Sequence, residues 1–213
     1  MTAANANHRS IHDVYAEGLH YFMEEGNLQG TLAQVSSDLK RHGIDYMVIG
    51  AVALMAYGYP RFTEAIDLVL TQEGLEAFHR ELIGLGYVPA FPGAKKRLRS
   101  TREGVSIEVI LAGGYPGDGK PKPVNFPVPS TSSTEIDGVQ IVTLDKLIEL
   151  KLSSGMTAPD RLKDLADVQE LIKVRGLAAA YAARLNPYVR EKFLELAHAV
   201  EQARQVSDIK EQE

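Results

Sequence analysis

Apolar positions along this chain follow two rhythms: one recurs at the helical spacing of three to four residues, the other runs unbroken for four to six. The helical rhythm comes first. Val14, Leu19, Phe22 and Met23 are spaced along Ile11 to Glu25 after a Ser10 that can cap, and Gly26 marks the expected end. A second stripe of Leu32, Val35 and Leu39 predicts a helix over Thr31 to His42, with Thr31 as its cap and Gly43 as its stop. Tyr46 to Ile49 is then a continuous apolar run that halts at Gly50, and Ala51 to Tyr57 suits a buried helix. A strand therefore feeds a helix through a turn of small residues.

Ala65 to Leu70 reads as a second strand and Glu73 to Leu85 as an amphipathic helix closed by Gly86. From Tyr87 to Ile110 the pattern is strand-like. Val105 to Ile110 is its clearest member, with Arg102-Glu103-Gly104 as the hairpin turn before it. Gly113 to Pro129 holds four Gly and five Pro in seventeen residues and predicts an irregular loop or flap. After a short strand at Val139 to Val142 the chain turns helical. Thr143 or Asp145 caps Lys146 to Leu152, Thr157 caps Asp160 to Val174, and Asn186-Pro187 opens Tyr188 to Gln205. Alternating strands and helices argue for an α/β (α+β) unit with a small mixed sheet over residues 1–142, followed by a helical C-terminal subdomain over 143–213.

Composition narrows the function classes. With 213 residues, 45% of them hydrophobic, the chain can bury a core without covalent or metallic staples. It has no cysteine, which excludes disulfides, thiolate metal sites, iron–sulfur clusters and thiol catalysis. No basic start with an apolar core opens the chain, and no apolar stretch approaches the roughly 20 residues of a membrane span, so a cytoplasmic location is expected. A net charge of −5 argues against wholesale coating of nucleic acid. Against that acidic background Lys95-Lys96-Arg97-Leu98-Arg99 with Arg102 is a local basic run. It reads either as a strip that holds a triphosphate or an RNA backbone, or as a hairpin whose charges keep its edge from pairing.

Four features follow one another within about sixty residues: the strand ending in Gly50-Ala51, a helix, the stretch Arg61 to Asp67, and a later strand bearing Glu108. A strand that opens a helix at small residues leaves unpaired N–H groups suited to phosphate. Asp67 and Glu108 are each a lone charge in an apolar run. Buried carboxylates of this kind are costly unless they pair or bind a cation, and a hard divalent ion with a triphosphate is the simplest partner set.

The run from Tyr46 to Leu70, with Arg61-x-Thr63-x-x-Ile66-Asp67, resembles the nucleotidyltransferase superfamily of polymerase β-like fold, and within it bacterial nucleotidyltransferases of the AbiEii and MNT type. Leu147-x-x-x-Lys151-Leu152 and Arg161-x-Lys163-Asp164-Leu165-x-Asp167 resemble the downstream block of those proteins, which extends the likeness to about residues 40–175. The resemblance implies a nucleoside triphosphate bound with Mg²⁺ in a two-ion site, and transfer of a nucleotidyl group to a hydroxyl of RNA, protein or a small molecule. It assigns metal binding and catalysis to Asp67 and Glu108, and nucleotide binding to Gly50, Ala51, Arg61, Thr63 and Lys151. Some members are toxins, so an antitoxin protein is an implied partner. One position departs from the pattern. Where the first metal-binding Asp belongs this chain has Ala65, which ligates nothing. It marks either a degenerate member or a replaced Asp, and it implies a weak or inactive enzyme, or a member that binds nucleotide, RNA or a partner without chemistry.

Other signals have plainer readings. Arg61 either contacts nucleotide or pairs with Glu64 or Asp67, and Lys151 either meets phosphate or is a solvated lysine. Arg161, Asp164 and Asp167 have the spacing of an ion-paired helix face. Gly114 to Lys120 has the spacing of a phosphate-binding loop, but Pro121 and Pro123 forbid the helix that such a loop must open. His8 and His12 share a helical spacing without the glutamate of a zinc protease.

Overall fold

The computed structural model describes residues 25–210. The expected N-terminal helix up to residue 24, with His8 and His12, lies outside the described residues. The first helix, α1, spans Glu25–Arg41 and runs straight through Gly26 and Gly30. Thr31 is therefore an interior residue and not a cap, and its Oγ1 is buried without a hydrogen-bond partner among the described residues. Leu28, Leu32, Val35 and Leu39 form one stripe packed on the core, and that burial outweighs the roughly 1 kcal/mol that each helical glycine costs.

β1 (Tyr46–Ile49) and α2 (Gly50–Ala56) follow as their apolar runs predict, then β2 (Ala65–Leu70) and α3 (Gln72–Glu81). α3 stops earlier than Leu85, at a Leu82 whose N–H still bonds Phe78 O. The strand-like stretch resolves into β3 (Tyr87–Pro89), β4 (Arg97–Ser100) and β5 (Ser106–Leu111). The glycine- and proline-rich segment is irregular up to α4 (Pro129–Ser132). β6 (Ser133–Ile136) was not expected. It pairs with β7 (Val139–Val142) around Asp137-Gly138, both in the left-handed region at φ 49° and 81°, the geometry of a tight hairpin turn.

The seven strands form one mixed sheet in the order β3-β4-β5-β2-β1-β7-β6. β2 runs parallel to β5 and antiparallel to β1, and β1 runs parallel to β7. Three longer helices follow: α5 (Leu144–Thr157), α6 (Leu162–Arg175) and α7 (Pro187–Lys210), with 3₁₀ turns at Pro159–Arg161 and Ala179–Arg184. Thr157 ends α5 and donates to Ser153 O at 2.8 Å, so it does not cap the next helix. A single cluster of buried residues runs from Val35 through the strands to Val200, and the C-terminal helices share it with the sheet.

Candidate functional site

β1 ends at Ile49 because Gly50 turns the backbone to φ 68°, a conformation open to glycine. Ile49 stands opposite Asp67 in the antiparallel pairing, which sets the turn beside that carboxylate. The approach is close. A Cβ on Gly50 would fall within the Asp67 carboxylate, 3.0 Å from its Cγ, so no other residue fits this turn while Asp67 holds its place.

Asp67 and Glu108 are register partners in the parallel pairing of β2 and β5, and Ala65 and Ser106 are the partners two residues earlier. Residues two apart share a face of a strand, so all four side chains project from the same side of the sheet. Burial, and then the neighbouring Glu108, push Asp67 up to about 6, against the opposing pull of Lys151, Arg161 and Arg61. Glu108 is 46% exposed and has Arg97 at 3.8 Å. The two carboxylates thus stand side by side in unlike surroundings, one enclosed and one open to solvent.

Thr63 shapes the entry to β2. Its hydroxyl donates to Ala65 O at 3.0 Å and accepts the Ala65 N–H at 3.3 Å. Arg61 pairs with Asp167 on α6, and not with Glu64 or Asp67 as its spacing suggested. Lys151 is buried and donates to Asp164 Oδ1 at 3.0 Å and Asp167 Oδ2 at 2.6 Å. Ser154 and Arg161 complete the cluster on Asp164 Oδ2, at 2.7 and 2.9 Å. Burial works against the charge of Asp164, yet Lys151, Ser154 and Arg161 hold its carboxyl below the usual range. The spacing of Arg161, Asp164 and Asp167 predicts an ion-paired helix face, and Arg161 and Asp164 do pair across one turn. The packing of α6 against α5 adds what spacing cannot show, turning both aspartates inward onto Lys151.

The segment from Gly114 to Lys120 is a loop folded on itself. Lys122 pairs with Asp118 and donates to Pro116 O at 2.7 Å and Thr157 Oγ1 at 3.1 Å. A cavity of about 840 Å³ is lined by Val52, Met55, Arg61, Phe62, Thr63 and Val105 among others. Neither Asp67 nor Glu108 lines it, and Val105, one residue before the site-facing Ser106, belongs to the opposite side of the sheet. Among the described residues no cluster of three or more His, Cys, Asp or Glu could hold a metal ion, and no helix is long and apolar enough to cross a membrane.

No protein-family model matches the chain, and no curated protein does. Among solved structures it is similar to JHP933 from Helicobacter pylori, at 16% identity over 87% of this chain and 98% of that one, with a TM-score of 0.46. The antibiotic-resistance factor ANT(2'')-Ia is similar at 14% identity over 87% of this chain and 97% of its own, with a TM-score of 0.49. An antigenic nucleotidyltransferase-like protein from Paracoccidioides brasiliensis shares 16% identity over 70% of this chain and 77% of its own, with a TM-score of 0.47. At these distances the functional reading rests on the residues of this chain.

Proposed function

We propose that this chain binds a nucleoside triphosphate with one divalent cation at Gly50-Ala51, Asp67 and Glu108, and that the chemistry this site supports is nucleotidyl transfer, weakened by Ala65. The observation that carries the reading is the pairing of Asp67 with Glu108 on adjacent strands, pressed against a turn with no room for a Cβ. Two carboxylates, one of them held protonated up to about pH 6 by burial and by the charge of the other, suit one hard cation with oxygen ligands. They do not suit the two-ion set that the resemblance implies, because Ala65 supplies no oxygen. A bound Mg²⁺ would offset phosphate charge and lower the pKa of the attacking hydroxyl.

The remaining work falls to the protein. Gly50 lets the phosphates approach the backbone, and Thr63 holds the start of β2 in place. Arg61 and Lys151 act on the site through Asp67, whose ionised form they favour. In the transfer step the acceptor hydroxyl oxygen attacks the α-phosphorus. The bond from that phosphorus to the oxygen bridging the β-phosphate breaks, pyrophosphate leaves, and the hydroxyl proton passes to the carboxylate pair.

Ala65 favours a second reading, a nucleotide-binding protein without chemistry. Calorimetric titration of ATP, GTP, CTP and UTP with Mg²⁺ into the wild type and Ala65→Asp, followed by labelled-NTP transfer to total RNA, separates the two. Transfer by Ala65→Asp with little or none by the wild type supports an impaired transferase, and equal binding without transfer in both supports a binding protein. The nucleotide reading fails if neither form binds any of the four.

A further inference from the structure

The basic run lies on β4, and the register of β4 places it against the carboxylates. Arg97 is opposite Glu108 and Arg99 is opposite Ser106. Both arginines are exposed while Leu98 and Ser100 between and after them are buried, so the guanidinium groups share the face of Ala65, Asp67 and Glu108. Two rows therefore cross the sheet: Arg97, Glu108, Asp67 and Arg99, Ser106, Ala65. We propose that Arg97 and Arg99 hold the phosphates of the bound nucleotide over Ala65, so that the chain binds a nucleoside triphosphate through arginine charge even without a metal ion. This rests on the nucleotide reading above and adds to it the groups that replace the missing carboxylate and its cation.

Three observations support the assignment. First, the other cations near the site are already engaged: Lys151 by Asp164 and Asp167, Arg61 by Asp167, and Arg161 by Asp164. Arg99, by contrast, has no side-chain partner among the described residues, and Arg97 holds only the long, exposed contact to Glu108. Second, β4 is not an edge strand, because β3 and β5 flank it, so its charges are not required to block edge pairing. Third, the reach is right. Neighbouring strands lie about 4.8 Å apart, which puts Arg99 two strands and about 10 Å from Ala65, most of which an extended arginine side chain covers. A guanidinium fork matches the oxygens of a phosphate, and an alanine at position 65 leaves the approach open.

The test is calorimetric titration of ATP and of inorganic pyrophosphate into the full chain, in EDTA and in Mg²⁺. The variants are Arg97→Ala with Arg99→Ala, the lysine pair at the same positions, and Arg102→Ala at the exposed hairpin turn. Wild type and Arg102→Ala are expected to bind both probes in EDTA. The double alanine variant should lose about tenfold in affinity per arginine, and the lysine pair should recover part of the loss. Exposed positions leave folding intact, which a circular dichroism melt checks. Binding only in Mg²⁺, with the double variant equal to wild type, overturns the inference and leaves the nucleotide reading standing. No binding under any condition removes both. Unchanged ATP binding with loss of affinity for an RNA oligomer assigns the arginines to RNA and overturns the proposal.

Discussion

Asp67→Asn should make the protein more stable at neutral pH, and the gain should vanish in acid. The native environment raises the Asp67 carboxyl from 3.8 to about 6. A raised carboxyl pKa means that the folded state binds the proton more tightly than the unfolded chain does. The stability contributed by the protonated form is complete below about pH 3.8 and is lost as pH rises through about 6. Each pKa unit is worth 1.36 kcal/mol, so at pH 8 the ionised carboxylate costs the native state about 3 kcal/mol. Asparagine has the same shape and no charge to bury, which makes that sum the expected gain, or about 6–12 °C in melting temperature for a chain of this size. The assay is urea unfolding of both proteins, without divalent ions, at pH 8 and pH 4. Glu108→Gln should lower the Asp67 pKa and shrink the gain, because Glu108 is the second cause of the shift. Equal stability of Asp67→Asn and wild type at pH 8, or the same difference at pH 4, would refute the reasoning.

Gly50→Ala meets both a left-handed backbone and the Asp67 carboxylate, so a loss of about 1–3 kcal/mol in urea unfolding is expected, part of it recovered when Asp67→Ala is added. Lys151→Met leaves Asp164 and Asp167 buried with one partner fewer, and should cost about 3–5 kcal/mol by the same measurement. Lys151→Met with Asp164→Asn and Asp167→Asn should regain part of that loss, because no buried carboxylate is left unpaired, while Arg61 and Arg161, which are more exposed, lose their partners. Ala65→Asp adds a third carboxylate to the face, so its melting temperature should fall below wild type in EDTA and rise further than wild type on adding Mg²⁺. An identical response of the two proteins to Mg²⁺ would count against a cation at this face.

Much of the site was legible because its signals are local. Asp67 and Glu108 stand out as single charges in apolar strands, and Gly50 as the abrupt end of one. Their register is a tertiary fact: alternation puts Ala65 with Asp67 and Ser106 with Glu108, but only the parallel pairing of β2 with β5 brings the two carboxylates to a single face. Arg61, Lys151, Asp164 and Asp167 were each visible, but their partners were not, since the partnership joins a loop to two helices more than eighty residues downstream. The spacing of Arg161, Asp164 and Asp167 fits an exposed face and a buried one equally well, and only the packing of α5 on α6 decides. Thr31 misled because a cap residue following a glycine looks like a start, while the apolar stripe continues four residues earlier to Leu28. β6 was missed although Asp137-Gly138 is a strong hairpin signal, because Ser133 to Ile136 has only one apolar residue to mark a strand.

Asp167 serves two masters, the guanidinium of Arg61 and the ammonium of Lys151. The loop that leads into the carboxylate strand and the two helices behind it are therefore tied at one oxygen, Asp167 Oδ2, 106 residues apart in sequence for the Arg61 contact. Opening either element exposes the same buried charge, so amide exchange at the start of β2 and along α6 should report one shared event. A chain cut before α5 would keep every residue of the carboxylate row, yet lose the anchor that holds the approach to it.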